Sequence, residues 1–311
     1  MSVGRDSVPV AVIGGGPAGL TAGIYLARAG LGPVVLERGL PGGQVALTFR
    51  VENYPGFPEG LSGPELASRL ESQARRLGAQ LETAEVERVE LGEGGFVLRL
   101  EPEGTLRARA VVVASGSRPR RLGVPGEEAL GGRGVSYCAT CDGPLFSGRD
   151  VVVVGGGDSA LEEALYLARH ARQVTVVHRR GQLRAAAVIQ QRARAHPRIR
   201  LLLNAVVEEV LGDDAVAGVR VRDLSGGGSR ELKAEGVFIY IGGLPNTGFL
   251  PPEVRRDSAG YLLTGDDLQT SLSGLFAAGD VRQKRLRQVA TAVGDGALAA
   301  LGAQRFLEGL D

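Results

Sequence analysis

Four apolar residues, Val10-Ala11-Val12-Ile13, run straight into Gly14-Gly15-Gly16, and 141 positions later Val151 to Val154 run into Gly155-Gly156-Gly157. Each glycine run opens a stretch with helical apolar spacing that contains Tyr-Leu-Ala-Arg, at 25–28 and again at 166–169. A second apolar run closes each copy: Val34-Val35-Leu36-Glu37, then Val174-Thr175-Val176-Val177-His178. An apolar run without alternation suits a strand buried on both faces, and strands joined through a helix lie parallel. Each copy is therefore expected to be a strand, a glycine turn, an amphipathic helix and a second strand.

Downstream of each copy the pattern changes to polar alternation. The first set is Val86 to Leu91, Phe96 to Leu100 and Leu106 to Ala108, with turns at Gly94-Gly95 and Glu103-Gly104. It ends in an apolar strand, Ala110 to Ala114, entering Gly116-Ser117-Arg118-Pro119. The second set is Val206 to Leu211, Val216 to Arg222 and Arg230 to Ala234, then Val237 to Ile241 entering Gly242-Gly243-Leu244-Pro245-Asn246. Its run Ser225-Gly226-Gly227-Gly228-Ser229 reads as a hairpin loop rather than a linker. A lone glycine fingerprint is weak, but two in register inside complete βαβ units are strong. The expected fold class is α/β: two Rossmann-like dinucleotide-binding domains with β-meanders, the second inserted in the first. The expected boundaries are 1–117, 118–245 and 246–311. Leu275-Phe276-Ala277-Ala278-Gly279-Asp280 and the helix after it would return to complete the first domain.

Composition narrows the partners. The net charge is +1 over 311 residues, which gives no electrostatic case for nucleic acid or a membrane surface. No apolar run approaches the ~20 residues that span a bilayer, and Met1 to Pro9 lacks the basic flank and apolar stretch of a signal peptide. A cytoplasmic protein is expected. In that compartment an exposed thiol pair cycles rather than stays locked.

The only two cysteines lie in Cys138-Ala139-Thr140-Cys141-Asp142. So short a loop makes a poor staple for a chain this long. Structural zinc needs four ligands, and His170, His178 and His196 supply no second pair at ligand spacing. A redox-active dithiol is the reading that fits, with the Asp142 carboxyl within reach of a thiolate. His170 and His196 belong to no motif and are expected on helix surfaces.

The residue that ends each second strand discriminates nucleotides. Glu37, 18 positions beyond Gly19, suits hydrogen bonds from an unmodified adenosine ribose, so the first site is expected to hold FAD or NAD. In the second copy that place is taken by His178, followed by Arg179, Arg180 and Arg184. Guanidinium forks suit a 2′-phosphate, so NADPH is expected there.

Joined together, these motifs resemble the low-molecular-weight, bacterial-type NADPH-dependent thioredoxin reductases, from about Val10 to Leu307. The motifs are Gly-Gly-Gly-Pro-Ala-Gly at 14–19, Pro-Gly-Gly-Gln at 41–44, Val-Glu-Asn-Tyr-Pro-Gly-Phe at 51–57 and Cys-Ala-Thr-Cys-Asp-Gly at 138–143. Gly-Gly-Gly-Asp-Ser-Ala at 155–160, His-Arg-Arg at 178–180 with Arg184, and Phe-Ala-Ala-Gly-Asp at 276–280 with Arg287-Gln288 complete the set. The resemblance implies a homodimer with FAD in each subunit, electrons passing from NADPH through FAD to Cys138–Cys141 and on to thioredoxin, and rotation of the inserted domain. Hinges are expected around Ser115 to Arg120 and Gly242 to Thr247. It also implies that Cys141 faces the flavin, that Cys138 attacks the partner, and that Asp142 acts as general acid–base.

For FAD, the implied contacts are Gly14, Gly16, Pro17, Ala18 and Gly19 at the pyrophosphate, with Glu37 and Arg38 at the ribose. Gly42, Gly43, Gln44, Asn53, Ala114 and Gly116 join Gly279, Asp280, Arg287, Gln288 and Val289 around the rest of the flavin. For NADPH they are Gly155, Gly157, Asp158, Ser159, Ala160, His178, Arg179, Arg180, Arg184 and Gly242. Two readings remain beside this one: a flavin disulfide reductase or dithiol oxidase with another substrate, and a nucleotide-binding redox sensor without turnover.

Overall fold

The computed structural model describes residues 6–48, 51–101 and 104–309, apart from the side chains of Thr140 and Cys141. Glu103, assigned above to a turn, lies outside the described residues. Two compact units emerge, Met1–Arg118 with Leu244–Asp311, and Pro119–Gly243.

The first unit is built on a seven-stranded sheet. Its strands are β1 (Ser7–Ile13), β2 (Val34–Glu37), β3 (Gln80–Thr83), β4 (Glu85–Gly92), β5 (Gly95–Glu101), β6 (Gly104–Val113) and β17 (Leu275–Ala277). They run in the order β3-β2-β1-β6-β5-β4, with β17 also paired to β6. β1, β2, β3, β17 and the end of β6 are parallel, whereas β4, β5 and the start of β6 form an antiparallel meander. The stretches Leu106 to Ala108 and Ala110 to Ala114, read separately in the sequence, are essentially one strand that ends at Val113. Arg107 and Arg109 interrupt the apolar run only because that half of the strand serves the meander, where one face meets water.

Helix α1 (Pro17–Arg28) starts with proline at its first position, where no amide hydrogen is needed. It is buried without a break from Ala18 to Ile24, so it is more enclosed than an amphipathic surface helix. The reason is α6 (Val289–Glu308), which lies across it and buries Ala292, Gly296, Ala299 and Ala303. The small residues let the two backbones approach, and Gly296 has only 2.2 Å between a would-be Cβ and the Ala18 carbonyl oxygen. Helix α2 (Gly63–Arg76) is capped by Ser62, whose hydroxyl accepts from the Glu65 amide at 3.2 Å, and carries Arg75 and Arg76 at its negative end.

The second unit has a five-stranded parallel sheet in the order β11-β10-β9-β15-β8. These are β8 (Val135–Ser136), β9 (Asp150–Gly155), β10 (Gln173–His178), β11 (Ile199–Leu203) and β15 (Gly236–Tyr240). A three-stranded antiparallel sheet follows, β12 (Ala205–Leu211), β13 (Gly218–Asp223) and β14 (Gly228–Lys233), with the glycine-serine run as the β13–β14 turn. Helices α3 (Ala139–Asp142), α4 (Asp158–Leu167) and α5 (Ala187–Ala195) belong to this unit. The two chain crossings, β7 (Ser117–Pro119) and β16 (Gly243–Pro245), pair with each other. His170 and His196 sit just past helix ends rather than on helix faces: His170 packs edge-on against Tyr166, and His196 caps α5.

Candidate dinucleotide and dithiol sites

In the first unit, β1 ends at Gly14 (φ +105°), whose amide donates to Leu36 O at 2.8 Å. A Cβ on Gly19 would stand 1.8 Å from the Gly14 carbonyl oxygen, and one on Gly14 would stand 2.4 Å from that of Ala114. Both glycines therefore exist for backbone approach. Gly16 is the N-cap of α1 and no side chain caps the helix, so its first amides are left for an anion. Pro17 and Ala18 continue that turn. Beside it lies a second glycine turn: Gly42 (φ +119°) donates to Gly15 O at 2.8 Å, and a Cβ on Gly43 would meet Gly16 Cα at 3.2 Å.

Glu37 ends β2 as expected. Its carboxylate accepts from the Gly15 amide at 2.7 Å and the Gly39 amide at 3.0 Å, so it fixes the glycine turn. Arg38 is exposed and pairs with Glu85 at 3.6 Å. Gln44 and Asn53 are exposed, and Asn53 donates to Gln288 Oε1 at 3.0 Å. That contact joins positions 235 residues apart. Gln288 is the N-cap of α6 and forms a capping box with Thr291, with Val289 the first helical residue. Ala114 is buried, and Gly116 takes a left-handed conformation (φ +63°) with no atom near its missing Cβ.

At the return of the chain, Gly279 (φ +79°) donates to Asp295 Oδ2 at 3.0 Å. Asp295 also receives Lys284 Nζ at 3.0 Å and pairs with Arg282 at 3.4 Å. This buried cluster went unread in the sequence; the only trace is that Lys284 is one of two lysines in an arginine-rich chain. Two buried atoms next to it make no hydrogen bond among the described residues: Asp280 Oδ1, which is ion-paired with Lys284 Nζ at 3.5 Å, and Arg287 Nε. Burial raises the Asp280 carboxyl above the ordinary range, against the pull of Lys284 and Arg287. Buried polar atoms without hydrogen bonds, the uncapped start of α1 and a glycine cradle suit a polar, phosphate-bearing ligand.

The second unit repeats the cradle. Gly155 (φ +154°) would clash with Tyr240 O at 2.3 Å if it bore a Cβ, and Gly157 caps α4 without a side-chain bond. Asp158 accepts from the Ala186 amide at 2.6 Å, and Gly156 O receives the Arg184 amide at 2.7 Å. The loop bearing Arg184 is thereby stitched to the glycine turn. Ser159 is exposed and Ala160 buried. His178 is buried with Nε2 unpartnered, and desolvation holds its imidazole below the ordinary pKa, helped by Arg184, Arg180 and Arg179. These three arginines are exposed. No carboxylate partner is found for them among the described residues. Gly242 (φ +106°) accepts from the Arg120 amide at 2.9 Å, at the crossing ribbon.

The cysteine motif lies ahead of β9 in this unit. Cys138 is half-buried and disulfide-bonded, and no described cysteine is free. The side chain of Cys141, the remaining cysteine, lies outside the described residues. Asp142 closes α3, half-buried, its amide donating to Cys138 O at 3.1 Å. Around the motif stand groups that sequence reasoning missed. The Ala139 amide donates to the Tyr240 hydroxyl at 2.7 Å, and the Cys138 amide to Ser136 Oγ at 3.0 Å. Tyr137 donates to the buried Glu127 at 2.5 Å, and Glu127 also accepts from the Leu122 and Gly123 amides at 2.8 and 2.6 Å. On α4, burial and then the adjacent Glu162 push the Glu163 carboxyl up to about 7.

Comparison with known proteins agrees in kind with this arrangement. The pyridine nucleotide-disulphide oxidoreductase family matches residues 8–296. The thioredoxin reductase of Bacillus subtilis is 46% identical over 302 residues, covering 97% of this chain and 95% of that protein. That of Mycolicibacterium smegmatis is 47% identical over 308 residues, covering 99% of each. A crystal structure of Lactococcus lactis thioredoxin reductase superposes with a TM-score of 0.95 at 42% identity, over 97% of this chain and all of that one. Thioredoxin reductase from T. acidophilum follows at a TM-score of 0.93 and 34% identity, over 99% and 100%.

Proposed function

The chain belongs to the pyridine nucleotide-disulphide oxidoreductase family, and on that premise we propose that it is a thioredoxin reductase driven by NADPH through FAD. It is an oxidoreductase of a kind that takes a flavin and a pyridine nucleotide; the specific nucleotides, the acceptor and the residue roles are the proposal. The observation that carries it is the disulfide at Cys138, held in the inserted unit just ahead of the second glycine turn.

A bound flavin supplies the two-electron link between a nicotinamide hydride and a disulfide. The chain's part is to hold and aim. Gly14, Gly16, Gly19 and the open start of α1 receive the FAD pyrophosphate, and Glu37, already fixed by two amides, offers its remaining lone pairs to the adenosine ribose. Asp280 and Arg287, each with a buried polar atom that makes no hydrogen bond, would hold the flavin's polar chain. In the other unit the α4 start takes the NADPH pyrophosphate. Arg179, Arg180 and Arg184 take the 2′-phosphate, which explains three guanidinium groups left without carboxylates. Asp158, which accepts from the Ala186 amide, holds the Arg184 loop beside the nucleotide.

Reduction of Cys138–Cys141 gives two thiols. The Cys138 thiolate attacks one sulfur of the thioredoxin disulfide, forming a mixed disulfide and expelling the other sulfur as thiolate. Cys141 then attacks Cys138, re-forms the internal disulfide and releases the second thiolate. The two protons of the dithiol leave with the product, with Asp142 as the carrier. Nicotinamide and dithiol both ride on the inserted unit and both need the flavin. That unit therefore turns about β7 and β16 between half-reactions. The reading includes a cytoplasmic homodimer, carried over from the family resemblance. No helix among the described residues is long and apolar enough to cross a membrane.

The test is stopped-flow mixing of the purified yellow protein with NADPH, with and without thioredoxin. Bleaching that recovers only when thioredoxin is present is expected. Bleaching without recovery at any thioredoxin concentration, or steady NADPH use with thioredoxin left oxidised, would remove the proposed acceptor.

A further inference from the structure

Cys138 is gripped through its backbone more tightly than a redox turn requires. Its amide donates to Ser136 Oγ at 3.0 Å, and the same hydroxyl donates back to Cys138 O at 3.2 Å. That carbonyl receives a second donor, the Asp142 amide, at 3.1 Å. The next amide along, Ala139, donates to the Tyr240 hydroxyl at 2.7 Å across 101 residues of sequence. Ala139 itself is 1% exposed, so its amide has no water to fall back on.

The two hydroxyls come from neighbouring strands. Ser136 on β8 pairs in register with Phe238 on β15, and Tyr240 is two residues further along β15. Ser136 is buried, and the backbone of Tyr240 is paired with Gly155 at the start of the nucleotide turn. Burial raises the Tyr240 phenol above its ordinary pKa, with the Glu163 carboxylate adding to the rise, so it stays a neutral phenol. Both peptide planes flanking Cys138 are thus tied to the parallel sheet by side chains that belong to no sequence motif.

We propose that Tyr240 and Ser136 are positioning residues for Cys138, holding its backbone still while the disulfide opens and closes. This rests on the reading of Cys138–Cys141 as the redox pair. When the S–S bond breaks, the two sulfurs must part from bonding to van der Waals distance. With both peptides at Cys138 fixed, the displacement falls on the Cys141 side. The attacking thiol meets each partner disulfide from an unchanged place, which is what an in-line exchange between three sulfurs needs.

The experiment uses the full-length flavoprotein carrying Tyr240→Phe, Ser136→Ala or both. Enzyme reduced anaerobically with NADPH is mixed with the small disulfide 5,5′-dithiobis(2-nitrobenzoate), and separately with thioredoxin. The rate constant of thiolate release is read against the rate of flavin bleaching by NADPH. Each hydroxyl loss should slow the attack by about fivefold, the equivalent of one net hydrogen bond, and the double variant should slow it further. Bleaching by NADPH should stay close to wild type, because neither hydroxyl touches the nucleotide cradle, and the thermal midpoint should fall by only a few degrees, the cost of the unsatisfied Ala139 amide. Attack rates within twofold of wild type in both single variants would overturn the proposal. So would a parallel loss of bleaching and thermal stability, which would mark the hydroxyls as general packing groups. If the wild type releases no thiolate after NADPH reduction, the failure lies with the redox-pair reading instead.

Discussion

At the third glycine of the fingerprint the two units part company: Gly19 stands in the first, and Ala160 in the second. In the first unit a methyl there would sit 1.8 Å from the Gly14 carbonyl oxygen, whereas the second accommodates the Ala160 methyl with Gly155 opposite, bare of Cβ. The first turn therefore has no room for a methyl at this position, and the second has. The middle glycines tell a complementary story. A Cβ on Gly15 would meet Glu37 Cβ at 3.1 Å, and one on Gly156 would meet His178 Nδ1 at 2.3 Å. In both units the middle glycine makes room for the discriminating residue at the end of the second strand. What differs is that Glu37 is satisfied by two amides while His178 keeps Nε2 open. The same frame is closed from within in one unit and left to its arginines in the other.

The comparison breaks most sharply at the dithiol, which only the second unit carries. Cys138→Ser or Cys141→Ser should reduce disulfide turnover to background, while NADPH still bleaches the flavin in both. A non-reducing gel with a single-cysteine thioredoxin activated as a mixed disulfide should show a stable adduct with Cys141→Ser and little with Cys138→Ser. The reverse pattern would exchange the two thiols. Next in size is Gly19→Ala. The added carbon meets immovable backbone, so the protein should lose at least about 3 kcal/mol of stability and its yellow colour together. Enlarging Ala160 to Val should leave the flavin spectrum intact, and flavin loss there would show that the two cradles are not independent.

A smaller effect separates the nucleotides. Arg179→Ala combined with Arg180→Ala should raise KM for NADPH by at least about a hundredfold, from two charge-assisted bonds each worth about 1.5–3 kcal/mol. KM for NADH should hardly move. Equal losses with both would mean that the guanidinium groups do not read a 2′-phosphate. The gentlest test concerns Glu163, whose carboxyl is pushed up to about 7 from an ordinary 4.5. A raised carboxyl pKa gives stability that is full below the unfolded value and is lost as pH rises through the folded one. Glu163→Gln stays neutral throughout. Its unfolding free energy from urea titration should match wild type near pH 4 and exceed it above pH 8, by about 3 kcal/mol. An advantage that persists at pH 4 would assign the effect to packing.

The parallel frames were legible because burial on both faces leaves unbroken apolar runs, and because glycine is needed wherever a backbone crosses at less than 3 Å. The meanders were legible from alternation, except that β6 serves the meander at its start and the parallel sheet at its end, and so carries two patterns in one strand. The enclosure of α1 was not legible, since it is imposed by α6, some 270 residues onward, and not by any local spacing. The same holds for the Tyr240 half of the clamp on Cys138 and for the Asn53–Gln288 contact. Single hydroxyls and amides that meet across a hundred or more residues leave no periodicity and no motif. Lys284 with Asp295 is a middle case, where an unusual residue type marks a place without naming its partner.

The ribbon formed by β7 and β16 has a consequence for the genetics of this molecule. Arg120 N lies 2.9 Å from Gly242 O, and Asn246 N lies 3.0 Å from Gly116 O. The segment between them therefore leaves the host through the same doorway by which it entered. Such an insertion is excisable: a two-residue reverse turn spliced between the paired strands would close the host unit without re-threading any strand of its sheet. The excised stretch, its two ends side by side, is equally suited to transplantation into another surface hairpin.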